Sequence, residues 1–330
     1  MTAPPERRAE LTLPAPAKVN LYLQVLGRRP DGYHELVTVL QTVDLCDDVT
    51  VTLRPRARRA PAGRPDVRMG LRAPAPGVPD GPENLARRAA VALLDRSGAA
   101  GDVGVDIGLA KRIPAGGGLG GGSSDAAAVL RALDRLLGSP VGESGLAEIA
   151  AGLGSDVPFF LHGGTALCTG RGERVLPLAP PRPFGLTLLL PPFPTATAAV
   201  YAALGAGPVP PAAPPAAPSA ALPSSLPASP PAAPVEAPAD APEPGAACDA
   251  RLASLAERIG NAGTDALERL FRNDLEPAAR RAEPRLAALL DATGLHLSGS
   301  GSTLFGFGRC GRDIESACES ASICFVDSRI

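Results

Sequence analysis

Residues 114–128 read P-A-G-G-G-L-G-G-G-S-S-D-A-A-A, and no other stretch restricts the possible folds of this chain as strongly. Six of the seven positions from Gly116 to Gly122 are glycine. Such a backbone is free to adopt positive φ and to approach a ligand without Cβ atoms in the way, at a large entropic cost of ordering. Ser123, Ser124 and Asp125 follow, all residue types that cap helices. Residues 126–137 then place Val129, Leu130, Leu133, Leu136 and Leu137 on one stripe, which predicts a helix beginning where the glycines end. Unpaired N–H groups at a helix N-terminus, with the positive end of its dipole, make a site for an anion, most often phosphate.

Three kinds of phosphate loop compete for this reading. A Walker loop ends in Gly-Lys-Ser/Thr, but Gly122 runs directly into Ser123, which excludes it. Gly116, Gly118 and Gly121 satisfy the dinucleotide fingerprint. A glycine run this dense meets that pattern by chance, and no acidic residue closes a second strand where one is required. The third form, P-x-x-x-G-L-G-S-S-A-A, is the nucleotide loop of the galactokinase, homoserine kinase, mevalonate kinase and phosphomevalonate kinase (GHMP) superfamily, which residues 114–127 resemble. A flexible Gly/Ser linker is the remaining reading, but linkers rarely run straight into a capped amphipathic helix.

The totals narrow the partner. With 330 residues the chain is long enough for two domains, and a net charge of −2 with pI near 6.0 gives no electrostatic footprint for nucleic acid or an anionic membrane. No apolar run is long enough to span a bilayer, and residues 1–8 have no signal-peptide character, so a cytoplasmic protein is expected. Six cysteines (46, 168, 248, 310, 318, 324) form no C-x-x-C pair and read as reduced structural thiols. Among 32 basic residues only Lys18 and Lys111 are lysine. An arginine fork does not replace a compact ammonium in a tight phosphate site.

Taken in order, residues 11–26 alternate as a half-buried strand that puts Lys18 and Asn20 on one face. A turn at 28–32 leads to Tyr33 and His34, a second strand at 36–43 and a third at 44–53. Residues 54–82 read as an irregular connection with a short strand at 67–71, residues 84–97 as a helix and 103–107 as a strand that delivers Lys111 and Pro114 to the loop. Further helices are predicted at 142–153, 195–204, 250–258, 264–275 and 283–292. A hairpin is predicted at 163–178, a strand at 185–190, and a strand–glycine turn–strand at 295–307. Residues 205–247 hold 14 of the 38 prolines and read as a disordered insertion without chemistry.

The motifs P-A-K-V-N-L-Y-L, G-R-R-P-D-G-Y-H-E-L, P-E-N-L-A, K-R-I-P-A-G-G-G-L-G-G-G-S-S-D-A-A and G-S-D-V-P-F-F stand in the same order as in the GHMP kinases. The second glycine loop at 297–303 resembles the superfamily's C-terminal motif. The D-G-Y-H element resembles the branch that uses ATP to phosphorylate the 2-hydroxyl of a cytidylated methylerythritol in the non-mevalonate isoprenoid pathway. The resemblance covers most of residues 11–204 and 273–308. It fails over the proline-rich insertion and is poor after Arg312.

The resemblance implies an α+β, two-domain fold: a ribosomal-S5-like N-terminal domain at 1–163, a ferredoxin-like C-terminal domain at 164–330, and an active site in the cleft between them. Asp156 is then the catalytic base, with Lys18 beside it to keep it ionised and to attract charge on the transferring phosphoryl group. A helix cap is the other role open to Asp156, and a solvated strand residue the other role open to Lys18. Asn84, Lys111, Pro114, Ala115, Gly116, Gly117, Gly118, Leu119, Gly120, Gly121, Gly122, Ser123 and Ser124 would hold ATP. Asn20, Tyr33, His34, Thr197, Tyr201, Gly299, Ser300 and Gly301 would face the substrate, although Tyr33 and His34 also suit a core. Mg²⁺ is implied by ATP chemistry, with Ser123, Ser124 or Asp156 open as ligands. The expected partner is a small molecule, with no nucleic acid and no membrane, and the expected state a monomer or homodimer. Another GHMP kinase of the homoserine or mevalonate type, or a nucleotide-binding regulator without catalysis, remains open at this point.

Overall fold

The alternation seen around Val19, Leu21 and Leu23 continues well beyond those residues, and the first strand, β1, runs Glu10–Arg28. The computed structural model describes residues 9–55, 65–204, 246–260, 262–308 and 321–328. The insertion expected at 205–247 therefore lies outside the described residues as far as 245, as do Cys310 and Cys318. The chain divides into two compact units that share its long strands. One holds residues 1–17, 45–115 and 120–161, and the other 18–44, 116–119 and 162–330.

In the first unit the distal part of β2 (His34–Pro55) pairs antiparallel with β4 (Val103–Ala110), Val51 opposite Ile107. On the far side of β4, β3 (Asp66–Leu71) runs parallel, Met69 opposite Ile107. Residues 36–53 were expected as two strands and form one. The polar run Asp44, Cys46, Asp47 and Asp48 broke the apolar alternation, but Asp47 is buried and paired rather than marking a turn. Four helices follow: α1 (Leu85–Ser97), α2 (Gly121–Leu136), α3 (Gly142–Leu153) and the short α4 (Val157–His162). Alanines 86, 89 and 90 of α1 and 126, 127 and 128 of α2 are buried. These small side chains let α1 and α2, which are in contact, approach closely, while Leu93, Leu94, Leu130 and Leu133 fill the core.

In the second unit the proximal part of β2 pairs with β5 (Thr165–Gly170), and β5 with β6 (Arg174–Pro177), forming the expected hairpin. A second sheet of order β11-β7-β10-β9 is built on β7 (Gly185–Leu190) and takes in β9 (His296–Leu297), β10 (Leu304–Phe307) and β11 (Ser322–Asp327). Its helices are α5 (Thr197–Ala203), α6 (Ala246–Gly260), α7 (Thr264–Leu270), α8 (Glu276–Ala282) and α9 (Pro284–Thr293). Leu189, Val200, Ala278, Leu286, Leu290, Leu297 and Leu304 join in one buried cluster. The helix expected at 264–275 stops at Leu270, because Arg272–Asn273 leaves it to form β8, parallel to β1 with Leu23 beside Asn273. No helix among the described residues is long and apolar enough to cross a membrane.

Candidate functional site

The glycine run is held by its carbonyls. Positive φ at Gly116, Gly118 and Gly120 (71°, 78° and 73°) turns the chain three times in five residues. Within the second unit, the N–H of Thr195 donates to Gly116 O (3.3 Å), that of Thr303 to Gly117 O (3.1 Å) and that of Lys18 to Leu119 O (3.0 Å). The Ser298 hydroxyl lies 3.5 Å from Gly118 O as donor. In the first unit, Gly120 is the N-cap of α2. The helix thus starts inside the glycines rather than after them, with Ser123 and Ser124 in its first turn. A left-handed glycine takes the N-cap position expected of the hydroxyl residues, with no side-chain bond to the first turn. The N–H groups of Gly121, Gly122 and Ser123 have no acceptor within the helix, whereas Ser124 N–H donates to Gly120 O (2.9 Å). Ser124 Oγ is buried without a hydrogen-bond partner, and so is Asp125 Oδ1. The amides and the Ser124 hydroxyl are donors of the kind that bind an anion, while the Asp125 oxygen is an acceptor.

The second glycine loop buttresses the first. A side chain on Gly118 would fall on Ser298 O, and one on Gly301 would fall on the backbone of Gly117 and Gly118. Asn273 pins this loop by donating to Leu297 O and Gly299 O (both 2.9 Å) while accepting from Leu275 N–H (3.0 Å). Gly299 (φ 61°) stands beside Lys18, where a Cβ would lie 3.0 Å from Asn20 Oδ1 and 3.3 Å from Lys18 Nζ. From Lys18, a buried relay runs inward. Lys18 Nζ donates to Asn20 Oδ1 (2.6 Å), Asn20 Nδ2 to Thr38 Oγ1 (2.8 Å), and Thr38 Oγ1 to Tyr22 O (2.7 Å). The relay fixes the ammonium in place.

The aromatic residues meet as a second group. His34 and Tyr201 stand with ring centroids 5.0 Å apart. Burial, with Arg28 nearby, holds the His34 imidazole below its ordinary pKa and favours the neutral ring. Tyr33 is 53% exposed, with the Arg171 guanidinium 4.8 Å above its ring. Thr197 Oγ1 and Ser300 Oγ are 2.9 Å apart. All of these lie in the second unit.

In the first unit, Lys111 Nζ donates to Asp47 Oδ2 and Asp125 Oδ2, each at 2.5 Å. Desolvation outweighs the attraction of Lys111 and, with a smaller repulsion from Asp47, pushes Asp125 up to about 6. Asn84 caps α1, its Oδ1 accepting from Ala86 N–H (2.9 Å) and its Nδ2 donating to Pro79 O (2.7 Å). Pro114 and Ala115 form the half-buried stem of the loop. Asp156 is half-buried in the turn before α4, where its carbonyl accepts from Phe160 N–H (3.4 Å). It belongs to the first unit and Lys18 to the second. Asp47, Thr38, Asn273 and Thr195 escaped the sequence reading. Asn273 carried the best signal, since it opens the patch in which the resemblance resumes.

Comparisons with known proteins agree with one another. Residues 84–164 match the family described as "GHMP kinases N terminal domain". A 4-diphosphocytidyl-2-C-methyl-D-erythritol kinase of Pelotomaculum thermopropionicum is 38% identical over 320 residues, covering 94% of this chain and 93% of that one. The enzyme of that name from Geobacter metallireducens is 48% identical over 195 residues, 59% of this chain, and the matched stretch spans 65% of the relative's length. A solved structure of 4-(cytidine 5'-diphospho)-2C-methyl-D-erythritol kinase superposes with a TM-score of 0.63 at 32% identity, covering 96% of this chain and 98% of the other. A homoserine kinase from Cytophaga hutchinsonii (TM-score 0.58, 18% identity, 100% and 98% covered) shares the fold.

Proposed function

This chain belongs to the 4-diphosphocytidyl-2-C-methyl-D-erythritol kinase family of GHMP kinases, and from that premise we propose that it transfers the γ-phosphoryl group of ATP to the substrate's 2-hydroxyl, giving the 2-phosphate and ADP. One observation carries the reading. The carbonyls of Gly116 to Leu119 are tied inward, while the first amides of α2 and the unpartnered Ser124 hydroxyl remain for phosphate oxygens.

In this mechanism the amides of Gly121 to Ser123 take the phosphates, and Pro114 to Gly120 shape the loop that presents them. The substrate's 2-hydroxyl oxygen forms the new bond to the γ-phosphorus as the bond to the β,γ-bridging oxygen breaks, and the hydroxyl proton passes to the Asp156 carboxylate. Lys18, held by Asn20, attracts the negative charge spread over the transferring group. His34 and Tyr201 offer an aromatic face and ring nitrogens to the cytosine, with Tyr33 next in the chain. Thr197, Gly299, Ser300 and Gly301 line the polar part of the substrate. Magnesium fits the donors present, since the orphaned Ser124 Oγ, with Ser123 beside it, suits a hard cation that keeps most of its oxygen ligands from phosphate and water. Bound there, it would supply neutralising charge to the phosphates. Asn84 and Lys111 act on the nucleotide side through the geometry of α1 and of the loop stem.

Turnover of ATP with the cytidylated substrate, set against homoserine and mevalonate, tests the assignment. Activity on the first alone is expected, and preferential activity on either of the others would replace it. Asp156→Asn should lower kcat by about a thousand-fold or more while ATP affinity stays within a few-fold. Undiminished turnover in that variant removes Asp156 from the role of base, and absence of turnover in the parent chain favours a binding-only protein.

A further inference from the structure

Asp47 is fully buried in the middle of β2, and the reaction as described makes no direct use of it. A buried carboxylate is costly unless its lone pairs are satisfied, and three donors meet this one. Its Oδ1 accepts from the N–H groups of Ile113 (2.9 Å) and Arg112 (2.5 Å), and its Oδ2 receives Lys111 Nζ (2.5 Å). One strand residue thereby grips three consecutive residues of the stem from which the glycine run departs. Lys111 extends the grip to α2, where it meets Asp125 Oδ2 at 2.5 Å. The α2 backbone is close as well, because a Cβ on Gly121 would stand 2.9 Å from Ile113 Cγ2 and 3.5 Å from Lys111 Nζ.

The Lys111 side chain is only 6% exposed and gives two of its three N–H donors to carboxylates. An ammonium so committed is poorly placed to serve as a free phosphate ligand. The geometry points to a different division of labour: Asp47 is a positioning residue of the nucleotide site, acting through Lys111 to hold the stem and the first turn of α2 in register. This rests on the kinase reading above and deepens it by adding a residue that touches neither substrate nor nucleotide. The charge balance is consistent with a strut. One cation between two carboxylates attracts no further anion, but it braces β2, the loop stem and α2 against one another.

The test uses the full chain and compares Asp47→Asn, Lys111→Met and the double variant by steady-state kinetics, with circular dichroism melts to establish folding. Asp47→Asn should raise the KM for ATP by about ten-fold, since misplacement by an ångström carries penalties of this order or more, and leave the KM of the cytidylated substrate unchanged. In the Lys111→Met background the same substitution should change the KM for ATP by less than about two-fold, because the two residues act as one unit. Full additivity in the cycle, or an unchanged KM for ATP in Asp47→Asn, would overturn the proposal. A second readout separates a strut from a phosphate ligand. Lys111→Met should weaken ATP no more than Asp47→Asn does, because the two act as one unit, whereas a clearly larger loss in Lys111→Met would make Lys111 a direct ligand and defeat the strut. Should Asp47→Asn fail to fold, Asp125→Asn, which neutralises the other end of the same unit, replaces it in the cycle with the same expected and overturning outcomes. Absence of turnover in the parent chain would defeat the kinase reading alone, and nucleotide dissociation constants for the same variants would then decide the role of Asp47.

Discussion

The glycine run has two halves that use the same residue for opposite reasons. From Gly116 to Leu119 glycine is required by crowding. Gly118 lies under Ser298 O and Gly301, Gly116 under Pro194, and the carbonyls are spent on tethers. Gly121 is still crowded by Ile113, but at Gly122 the surroundings thin out: a Cβ there would find only Leu85 Cδ1, at 3.9 Å. The first half is glycine because protein fills the space. At Gly122 the space is open and the N–H has no acceptor within the helix, so glycine there suits an approach from outside. A glycine run is therefore a poor guide to flexibility until its neighbours are known.

The sharpest way to break this comparison is Gly301→Ala. The new methyl would fall on the Gly117 and Gly118 backbone, where nothing flexible can yield, so the two loops must separate. A fall of about a hundred-fold in kcat/KM with a raised KM for ATP is expected, because displacing a positioned group by an ångström costs on that scale. Near-normal kinetics in this variant would show that the second loop does not hold the first.

How far these roles could be read from sequence depends on the distance over which each residue acts. The glycine loop, β1, the 163–178 hairpin and α1 follow local rules of period, turn chemistry and capping, and they were legible. Three errors share one cause. Asp47 and Asp48 broke the alternation of β2, yet both are in place for partners some sixty residues away, Lys111 and Arg112. Asn273 ended a helix that its own neighbourhood favours, because it serves the loop at 297–299. The start of α2 was displaced because Ser123 and Asp125 are better caps than glycine on average, while Gly120 takes the left-handed turn and Asp125 is drawn inward to Lys111. Among the site residues, Lys18 and Asn20 were placed correctly on one face by the alternation alone. Thr38, which completes their relay, carried no local mark.

Gly299→Ala sharpens the comparison at an intermediate scale, because it leaves the loop-to-loop contact intact and acts on Lys18. Its left-handed φ of 61° disfavours alanine, at a cost of about 1–2 kcal/mol. The methyl would press on Asn20 Oδ1 and Lys18 Nζ, which would have to give by tenths of an ångström. A drop in kcat of about ten-fold with the KM for ATP held within two-fold is the expected split, since in the proposed mechanism the disturbed group acts on the transferring phosphoryl group rather than on the bound nucleotide. Equal changes in both parameters would assign Gly299 to the phosphate loop instead.

The smallest effect belongs to the open position, Gly122, and tests it most directly. Gly122→Ala adds a methyl inside the first turn of α2, where the one neighbour is at ordinary contact distance. Alanine is the better helix former by about 0.5–1 kcal/mol. In a unit of this size that gain should raise Tm by about 1–4 °C. If phosphate oxygens reach the amide of Gly122, the same methyl obstructs them, and the KM for ATP rises by a few-fold. The two readouts then move in opposite directions, more stable and less able to bind nucleotide. Crowding by protein would instead lower Tm and affinity together, so a Tm gain with unchanged affinity would move the triphosphate away from Gly122, and a Tm loss would refute the claim that the run is open at Gly122.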